Sequence, residues 1–97
     1  MTDAIIRVHV SLLDTDPAIW RRIEVPANAT LKTLHDVIQR VMGWDDYHLH
    51  HFAIGDIRYG KPMGFDDVFD AELVSETRIK LARLVDAGDR AFEYVVI

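Results

Sequence analysis

The sequence of 97 residues contains no cysteine. This absence excludes disulfide bonds, thiolate nucleophiles, cysteine-ligated zinc sites and iron–sulfur clusters. Stability must therefore come from the burial of apolar side chains, and a chain of this length builds one core rather than two. We expect a single domain over residues 1–97.

Long hydrophobic runs are also absent. No stretch approaches the ~20 apolar residues that span a bilayer. The start of the chain, Met-Thr-Asp-Ala, lacks the basic region followed by an apolar region that is typical of an export signal. These two absences predict a cytoplasmic protein with no membrane partner.

Positive charge is scarce, since 11 Lys and Arg residues face 16 Asp and Glu residues and the net charge is −5. A negative chain is repelled by a phosphate backbone unless its basic residues cluster, which disfavours nucleic acid as a partner. The apolar fraction of 49% and the charged fraction of 28% are typical of a folded globular domain.

Alternating apolar and polar residues predict two β-hairpins. The first hairpin combines strands over residues 4–13 and 19–25. The second combines strands over residues 47–54 and 57–59. Residues 60–73 contain glycine, proline and acidic residues, and we expect an irregular loop there.

A helical spacing of apolar residues predicts an amphipathic helix over residues 31–42, with Thr30 as N-cap and Gly43 as left-handed C-cap. A short helical turn over residues 79–85 and a strand over residues 91–97 follow. The order ββαββ(α)β predicts an α+β domain in which the helix packs on one mixed or antiparallel sheet, as in the β-grasp, ubiquitin-like arrangement.

One cluster concentrates the residue types that bind metal ions, and its members are Asp45, Asp46, His48, His50 and His51. In a strand, His48 and His50 point to the same face, and Asp45 or Asp46 reaches them from the preceding turn. A site of two histidines and an aspartate with open positions suits Zn²⁺, Mn²⁺, Ni²⁺ or Fe²⁺. This pattern gives the hypothesis of a small metal-dependent enzyme.

A structural role is the alternative for these histidines. In that interpretation His48 and His50 lie on the less buried face of the sheet or bond backbone carbonyls, while Leu49 and Phe52 pack inward. No nucleophile elbow and no phosphate-binding glycine loop accompany the cluster. We therefore expect binding rather than catalysis, with a divalent metal as the one cofactor to consider.

Aromatic and basic residues near Trp20 and Trp44 form a second candidate site. Alternation places Arg21 and Arg22 on opposite faces of their strand, so they do not clamp one phosphate together. An arginine stacked on either tryptophan would present its guanidinium to an anionic partner. The leading hypothesis is a non-enzymatic binding module that meets a protein partner through these four residues; the alternative is an arginine paired with an acid such as Glu24.

Two further features carry weaker expectations. A local basic patch would support an accessory protein that contacts DNA, and its candidate members are Arg7, Arg21, Arg22, Lys32 and Arg40. His35 lies at the border of the apolar arc of the helix, and we expect it to be a packed or hydrogen-bonded structural residue.

Three segments together resemble a known family, the plasmid pRiA4b open-reading-frame-three-like family. These segments are Pro-Ala-Ile-Trp-Arg-Arg-Ile-Glu-Val-Pro at 17–26, Thr-Leu-Lys-Thr-Leu-His at 30–35 and Met-Gly-Trp-Asp-Asp-Tyr-His-Leu-His-His-Phe at 42–52. The similarity runs from Val8 to Tyr94. The resemblance implies a compact α+β domain of the kind found on bacterial and archaeal chromosomes and beside mobile elements, and it implies no particular activity.

The sequence departs from the family pattern after Tyr94. Family members continue there through an acidic, aromatic segment, whereas this sequence reads Val-Val-Ile. A functional surface built on that segment is expected to be incomplete. We expect either a shortened member of the family or a sequence from which this segment is omitted.

Overall fold

The computed structural model describes residues 4–46, 49–61 and 73–96. Within these residues the chain is a mixed α+β fold, which confirms the predicted class. No helix in the described ranges is long and apolar enough to cross a membrane. The elements, in chain order, are β1 (Ile5–Ser11), β2 (Trp20–Pro26), α1 (Leu31–Met42), β3 (His50–Ile54), β4 (Ile57–Gly60), β5 (Leu73–Ser75), α2 (Leu81–Asp86) and β6 (Glu93–Val96).

The described strands form two sheets. Strands β1 and β2 make an antiparallel two-stranded sheet, and the other four strands make a sheet in the order β5-β4-β3-β6. In that second sheet β4 and β5 are parallel, while β3 is antiparallel to both β4 and β6. The expectation of one sheet is therefore wrong, and the β-grasp order is not confirmed.

The connection from β2 to α1 pairs with the segment that leads into α2. Thr30 forms an isolated bridge with Lys80, and the Leu81 amide donates to the Ala29 carbonyl at 2.9 Å. The backbone groups of this connection are thus satisfied by the segment that leads into α2. They do not extend either sheet.

Helix α1 has the predicted bounds and the predicted caps. The Thr30 hydroxyl accepts a hydrogen bond from the Thr33 amide at 3.3 Å, which satisfies one of the unpaired amides of the first turn. Gly43 ends the helix at φ 73°, a left-handed conformation that glycine adopts without a Cβ penalty. The buried face of the helix contains two polar residues among its leucines and isoleucine: Leu31, Leu34, His35, Ile38 and Gln39.

One hydrophobic core joins both sheets and both helices. Phe52 of β3 and Leu31 and Leu34 of α1 are fully buried at its centre, which places the inner face of α1 against the four-stranded sheet. The first hairpin contributes through the inner face of β2. The buried apolar residues are Ile23, Val25, Ala29, Leu31, Leu34, Ile38, Phe52, Ile54, Tyr59, Leu81 and Leu84.

Two elements differ from the expectation. Strand β5 begins at Leu73, the last residue of the predicted loop, and continues through residues 74–75, for which no element is predicted. A strand of three residues is too short to show alternation, and this one forms by parallel pairing with β4. Strand β3 begins at His50, and residues 47–48 of the predicted strand lie outside the described residues, as do residues 62–72. The short helix predicted over residues 79–85 is confirmed as α2.

Candidate functional site

A buried polar cluster lies between helix α1 and the four-stranded sheet. Two members are almost inaccessible to solvent, since His35 is 1% exposed and Glu76 is 2% exposed. Burial of ionisable groups is costly unless they are hydrogen-bonded, so each partner needs to be identified. The cluster comprises His35 and Gln39 of α1, Asp46 after α1, His50 of β3, Glu76 after β5 and Tyr94 of β6.

The periodicity of the elements brings these side chains together. His35 and Gln39 are four residues apart and therefore lie on one face of the helix. His50 and the fully buried Phe52 lie on the same face of β3, and Tyr94 is the register partner of Phe52 in β6. The sheet residues thus face the two polar side chains of the helix.

Four of the residues close a ring of hydrogen bonds. The Asp46 amide donates to Gln39 Oε1 at 2.9 Å, and Gln39 Nε2 donates to the Tyr94 hydroxyl at 2.9 Å. The Tyr94 hydroxyl lies 2.5 Å from His35 Nδ1, and His35 Nε2 lies 2.9 Å from Asp46 Oδ1. Asp46 adopts a left-handed conformation at φ 57°, which is uncommon for a residue with a side chain and is fixed here by both of its contacts.

Proton positions in the ring follow from its donors and acceptors. The carboxylate of Asp46 only accepts, so His35 Nε2 carries a proton. Burial is the main cause that lowers the pKa of His35, and the nearby His50 lowers it further, while Asp46 and Glu76 oppose the shift. The His35 imidazole is therefore neutral near pH 7, and its Nδ1 accepts from the Tyr94 hydroxyl.

Tyr94 stays protonated for the same physical reason. Burial raises the pKa of Tyr94 to about 12, with the negative charges of Asp46 and Glu76 adding to the effect, although the hydrogen bond from Gln39 opposes it. The phenol is thus a hydrogen-bond donor at all physiological pH values. It holds the His35 ring in one tautomer and one orientation.

A second histidine–carboxylate pair lies against this ring. His50 Nε2 is 2.7 Å from Glu76 Oε1; the Glu76 side chain is buried, and the His50 side chain is 9% exposed. The imidazole rings of His35 and His50 are stacked, with centroids 3.6 Å apart and planes within 8°. Two imidazoles and two carboxylates are thereby assembled in one small volume.

Three of these residues satisfy the distance requirement for a common metal ion. One ligand atom each of His35, Asp46 and His50 lies within 4.8 Å of the other two. Ligand atoms about 2.1 Å from a tetrahedral ion lie about 3.4 Å apart. A separation as wide as 4.8 Å would therefore have to contract by roughly 1–1.5 Å, whereas the 2.9 Å between His35 Nε2 and Asp46 Oδ1 would have to widen slightly. An ion lies near the plane of each imidazole that ligates it, so one of the stacked rings must tilt for both to bind.

The predicted metal ligands are only partly brought together. Asp46 and His50 belong to the cluster, whereas Asp45 is exposed and lies outside it. His48 lies outside the described residues, and its role stays a prediction. Leu49 is 58% exposed and does not pack inward, while His50 faces the core side of the sheet with Phe52.

Sequence reasoning missed Glu76 and Tyr94 and undervalued His35. His35 is packed and hydrogen-bonded as expected, but it is also the centre of the cluster. Its one signal in the sequence is a polar residue at the border of an apolar helical arc, with Gln39 four residues later. Glu76 and Tyr94 carry no local signal.

The residues of the second candidate site are distributed over two places. Trp20 and Arg22 share the outer face of the first hairpin, and the Arg22 guanidinium carbon lies 5.8 Å from the centroid of the Trp20 ring. Arg21 points to the other face and donates to the Trp20 carbonyl at 2.8 Å. Trp44 follows the end of α1, where its amide donates to the Gln39 carbonyl, and its side chain is exposed.

Two of the five candidate DNA-contacting residues are engaged in ion pairs. Arg7 lies 3.2 Å from Glu24, and Lys32 lies 2.6 Å from Asp36. Their charges are therefore largely balanced within the protein.

The fold and the cluster define a small α+β domain with a buried histidine–carboxylate site. The chain belongs to the plasmid pRiA4b ORF-3-like family, whose model matches residues 4–96. It is 32% identical over 96 residues to the uncharacterized protein y4hQ of Sinorhizobium fredii (strain NBRC 101917 / NGR234), covering 98% of this chain and 48% of that protein.

A solved structure shares the fold. The crystal structure of a protein of unknown function, MM3350 from Methanosarcina mazei Go1, is similar with a TM-score of 0.82 and 33% sequence identity. The match covers 95% of this chain and 51% of that chain. This chain thus spans about half the length of the relatives that it matches.

Proposed function

We propose that this protein is a divalent-metal-binding domain that holds one transition-metal ion with His35, Asp46 and His50. The observation that carries the proposal is the convergence of one ligand atom from each residue within 4.8 Å. The proposal keeps the expectation of a non-enzymatic module and makes a metal ion its bound partner.

The donor set determines the class of ion. Two imidazole nitrogens and one carboxylate oxygen suit Zn²⁺, Ni²⁺, Co²⁺, Mn²⁺ or Fe²⁺, while the lack of thiolates disfavours soft ions such as Cu⁺. Mg²⁺ and Ca²⁺ prefer sites made of oxygen ligands. We therefore expect selectivity for borderline transition metals over Mg²⁺ and Ca²⁺.

The existing hydrogen bonds define how each residue would ligate. An ion between His35 Nε2 and Asp46 would require the proton of neutral His35 to move to Nδ1, which would then donate to the Tyr94 oxygen. The bond from His50 Nε2 to Glu76 is retained if His50 ligates through Nδ1. A carboxylate on the far nitrogen of a ligating imidazole is a common arrangement, and it orients the ring.

The ring that tilts is that of His50. Both nitrogens of His35 are held, one by Tyr94 and one by Asp46, whereas a single hydrogen bond holds His50. Rotation of the His50 imidazole about its hydrogen bond to Glu76 separates the two stacked imidazoles. This rotation costs less free energy than breaking the hydrogen bonds of His35. The ion is thus received by a fixed histidine, a half-exposed aspartate and a movable histidine.

Isothermal titration calorimetry on the tag-free, chelator-treated full chain tests the proposal. Zn²⁺, Ni²⁺ and Co²⁺ are each titrated, with Mg²⁺ as the selectivity control. We expect one ion per chain, and we expect the visible spectrum of the Co²⁺ form to report nitrogen and oxygen ligation.

Three variants locate the site. Asp46→Ala removes an exposed ligand and His50→Ala a buried one, and each should weaken binding by about 100-fold or more, because loss of even an outer partner costs 10–100-fold. His9→Ala removes an exposed histidine of the first hairpin and should leave binding unchanged. Absence of a stoichiometric ion in the wild type, or equal binding by wild type and Asp46→Ala with folding verified by circular dichroism, would refute the proposal.

A further inference from the structure

The outer face of the first hairpin carries an organised aromatic and basic surface. Trp20 is 47% exposed, and the His9 ring stacks on it with a centroid distance of 5.1 Å and an interplanar angle of 15°. His9 is the register partner of Arg22, whose guanidinium also lies against the Trp20 ring. The three side chains hold one another in place, and we call them the Trp20 surface.

The charge of this face is positive. Arg7, one rung further along, is paired with Glu24. Arg22 has no carboxylate within 4.0 Å among the residues that the structure describes. An acidic chain with a net charge of −5 therefore displays a basic patch on this hairpin, and the patch complements a short anionic segment.

Strand β1 lies beside the same patch and has one edge that no described strand covers. Within the described ranges it pairs only with β2. At the two ends of the hairpin the Leu12 amide donates to Ile19, and the Ala27 amide donates to Ala4. Because antiparallel pairs alternate between bonded and non-bonded positions, the amides and carbonyls that point away from β2 are those of Ile5, Arg7, His9 and Ser11.

The two faces of β1 define the side chains that an added strand would carry. On the outer face its side chains would lie next to Arg7 and His9, with Arg22 on the neighbouring strand supplying the positive charge that Glu24 does not balance, which favours acids. On the inner face they would lie next to Ile6, Val8 and Val10, which are only partly buried against the core and favour apolar neighbours. The complementary sequence alternates acidic and apolar residues.

We propose that the edge of β1 and the adjoining Trp20 surface bind an extended acidic segment of another protein by strand addition. A second copy of this chain fits the edge less well, because the outward side chains of its own β1 are Ile5, Arg7, His9 and Ser11 and include no acid. A nucleic acid has no backbone that pairs with a strand edge. Its long phosphate chain would also meet the net negative charge of the domain.

Fluorescence anisotropy of a labelled peptide, Glu-Val-Glu-Val-Glu-Val-Glu, tests the proposal on the full chain. We expect saturable binding that weakens with added salt. The matched peptide with lysine in place of glutamate should not bind. A Glu-Val peptide that is N-methylated at alternate residues keeps its charge but loses its pairing amides, and it should bind at least tenfold more weakly.

Charge reversal at the surface provides the protein control. Arg22→Glu should weaken peptide binding by about tenfold or more, because it places like charges together. Arg40→Glu reverses an exposed arginine on helix α1 and should leave binding unchanged.

Four results would overturn the proposal. The first is no saturation at millimolar peptide, and the second is equal binding of the lysine or N-methylated peptide. The third is preferential binding of a 20-nucleotide single strand that Arg22→Glu abolishes. The last is a concentration-dependent dimer in sedimentation that Arg22→Glu dissociates.

Discussion

Tyr94→Phe removes one oxygen atom from the centre of the hydrogen-bonded ring. The hydroxyl accepts from Gln39 Nε2 and donates to His35 Nδ1. The benzene ring remains, so its packing at a centroid distance of 4.9 Å from Phe52 is retained. The substitution therefore isolates the contribution of the two hydrogen bonds from that of apolar burial.

The expected loss of stability follows from what the substitution leaves behind. Each hydrogen bond contributes about 1 kcal/mol net, and each buried group left unsatisfied costs about 1–3 kcal/mol. Gln39 retains its bond to the Asp46 amide, and His35 retains its bond to the Asp46 carboxylate, so the penalty lies at the low end. We expect a decrease of about 2.5 kcal/mol, which corresponds to a fall in Tm of roughly 10–20 °C for a domain of this size.

Urea denaturation followed by circular dichroism, in the presence of a chelator, measures this change. Tyr59→Phe is the matched control, because Tyr59 is buried in the same core and its hydroxyl makes no hydrogen bond to another described side chain. We expect the control to change stability by less than about 0.5 kcal/mol. Equal effects of the two substitutions would refute the reasoning, as would ¹⁵N spectra that place the proton of His35 on Nδ1.

Two further predictions test the buried histidine and the end of the helix. Because the pKa of His35 is lowered in the folded state, the unfolded chain takes up a proton below about pH 6.5 that the folded chain does not. The free energy of unfolding therefore decreases as the pH is lowered, by at most about 1.4 kcal/mol per pH unit. Urea titrations between pH 5 and 8 should show a shallower slope for His35→Gln than for the wild type, and identical slopes would contradict the assignment. Gly43→Ala should cost about 1–2 kcal/mol, because Gly43 sits at φ 73° where a side chain is strained although nothing crowds it. Thermal melts should show partial recovery for Gly43→Asn, and an unchanged Tm for Gly43→Ala would contradict the prediction.

The elements that the sequence predicts well are those specified by neighbouring residues. Helix α1 has the predicted bounds because its apolar spacing, its Thr30 cap and its Gly43 terminus all lie within one short segment. The hairpin turn at Gly55 is likewise local. Strand β5 and the division into two sheets depend on pairing between distant segments, which periodicity does not encode.

The residues of the candidate site also differ in whether neighbouring residues or distant segments specify them. Asp46 and His50 were recognised because histidines and aspartates are concentrated in one segment. Their partners come from far along the chain, since Tyr94 is 59 residues from His35 and Glu76 is 26 residues from His50. Only the packing of α1 on β3 and β6 shows that the helix residue His35 belongs to the same site.

The exposure of Asp46 favours the proposed ion site over a purely structural network. Buried ionic networks stabilise poorly, and apolar replacements of similar volume are often neutral or stabilising, so a need for stability does not by itself account for two imidazoles and a carboxylate in so small a core. A structural network would gain most from full burial, yet the Asp46 side chain is 49% exposed while its partner His35 is almost completely buried. An ion must enter from water and exchange its hydration shell for protein ligands one at a time. In the proposed site the half-exposed Asp46 carboxylate, next to the two largely buried histidines, would provide that first ligand.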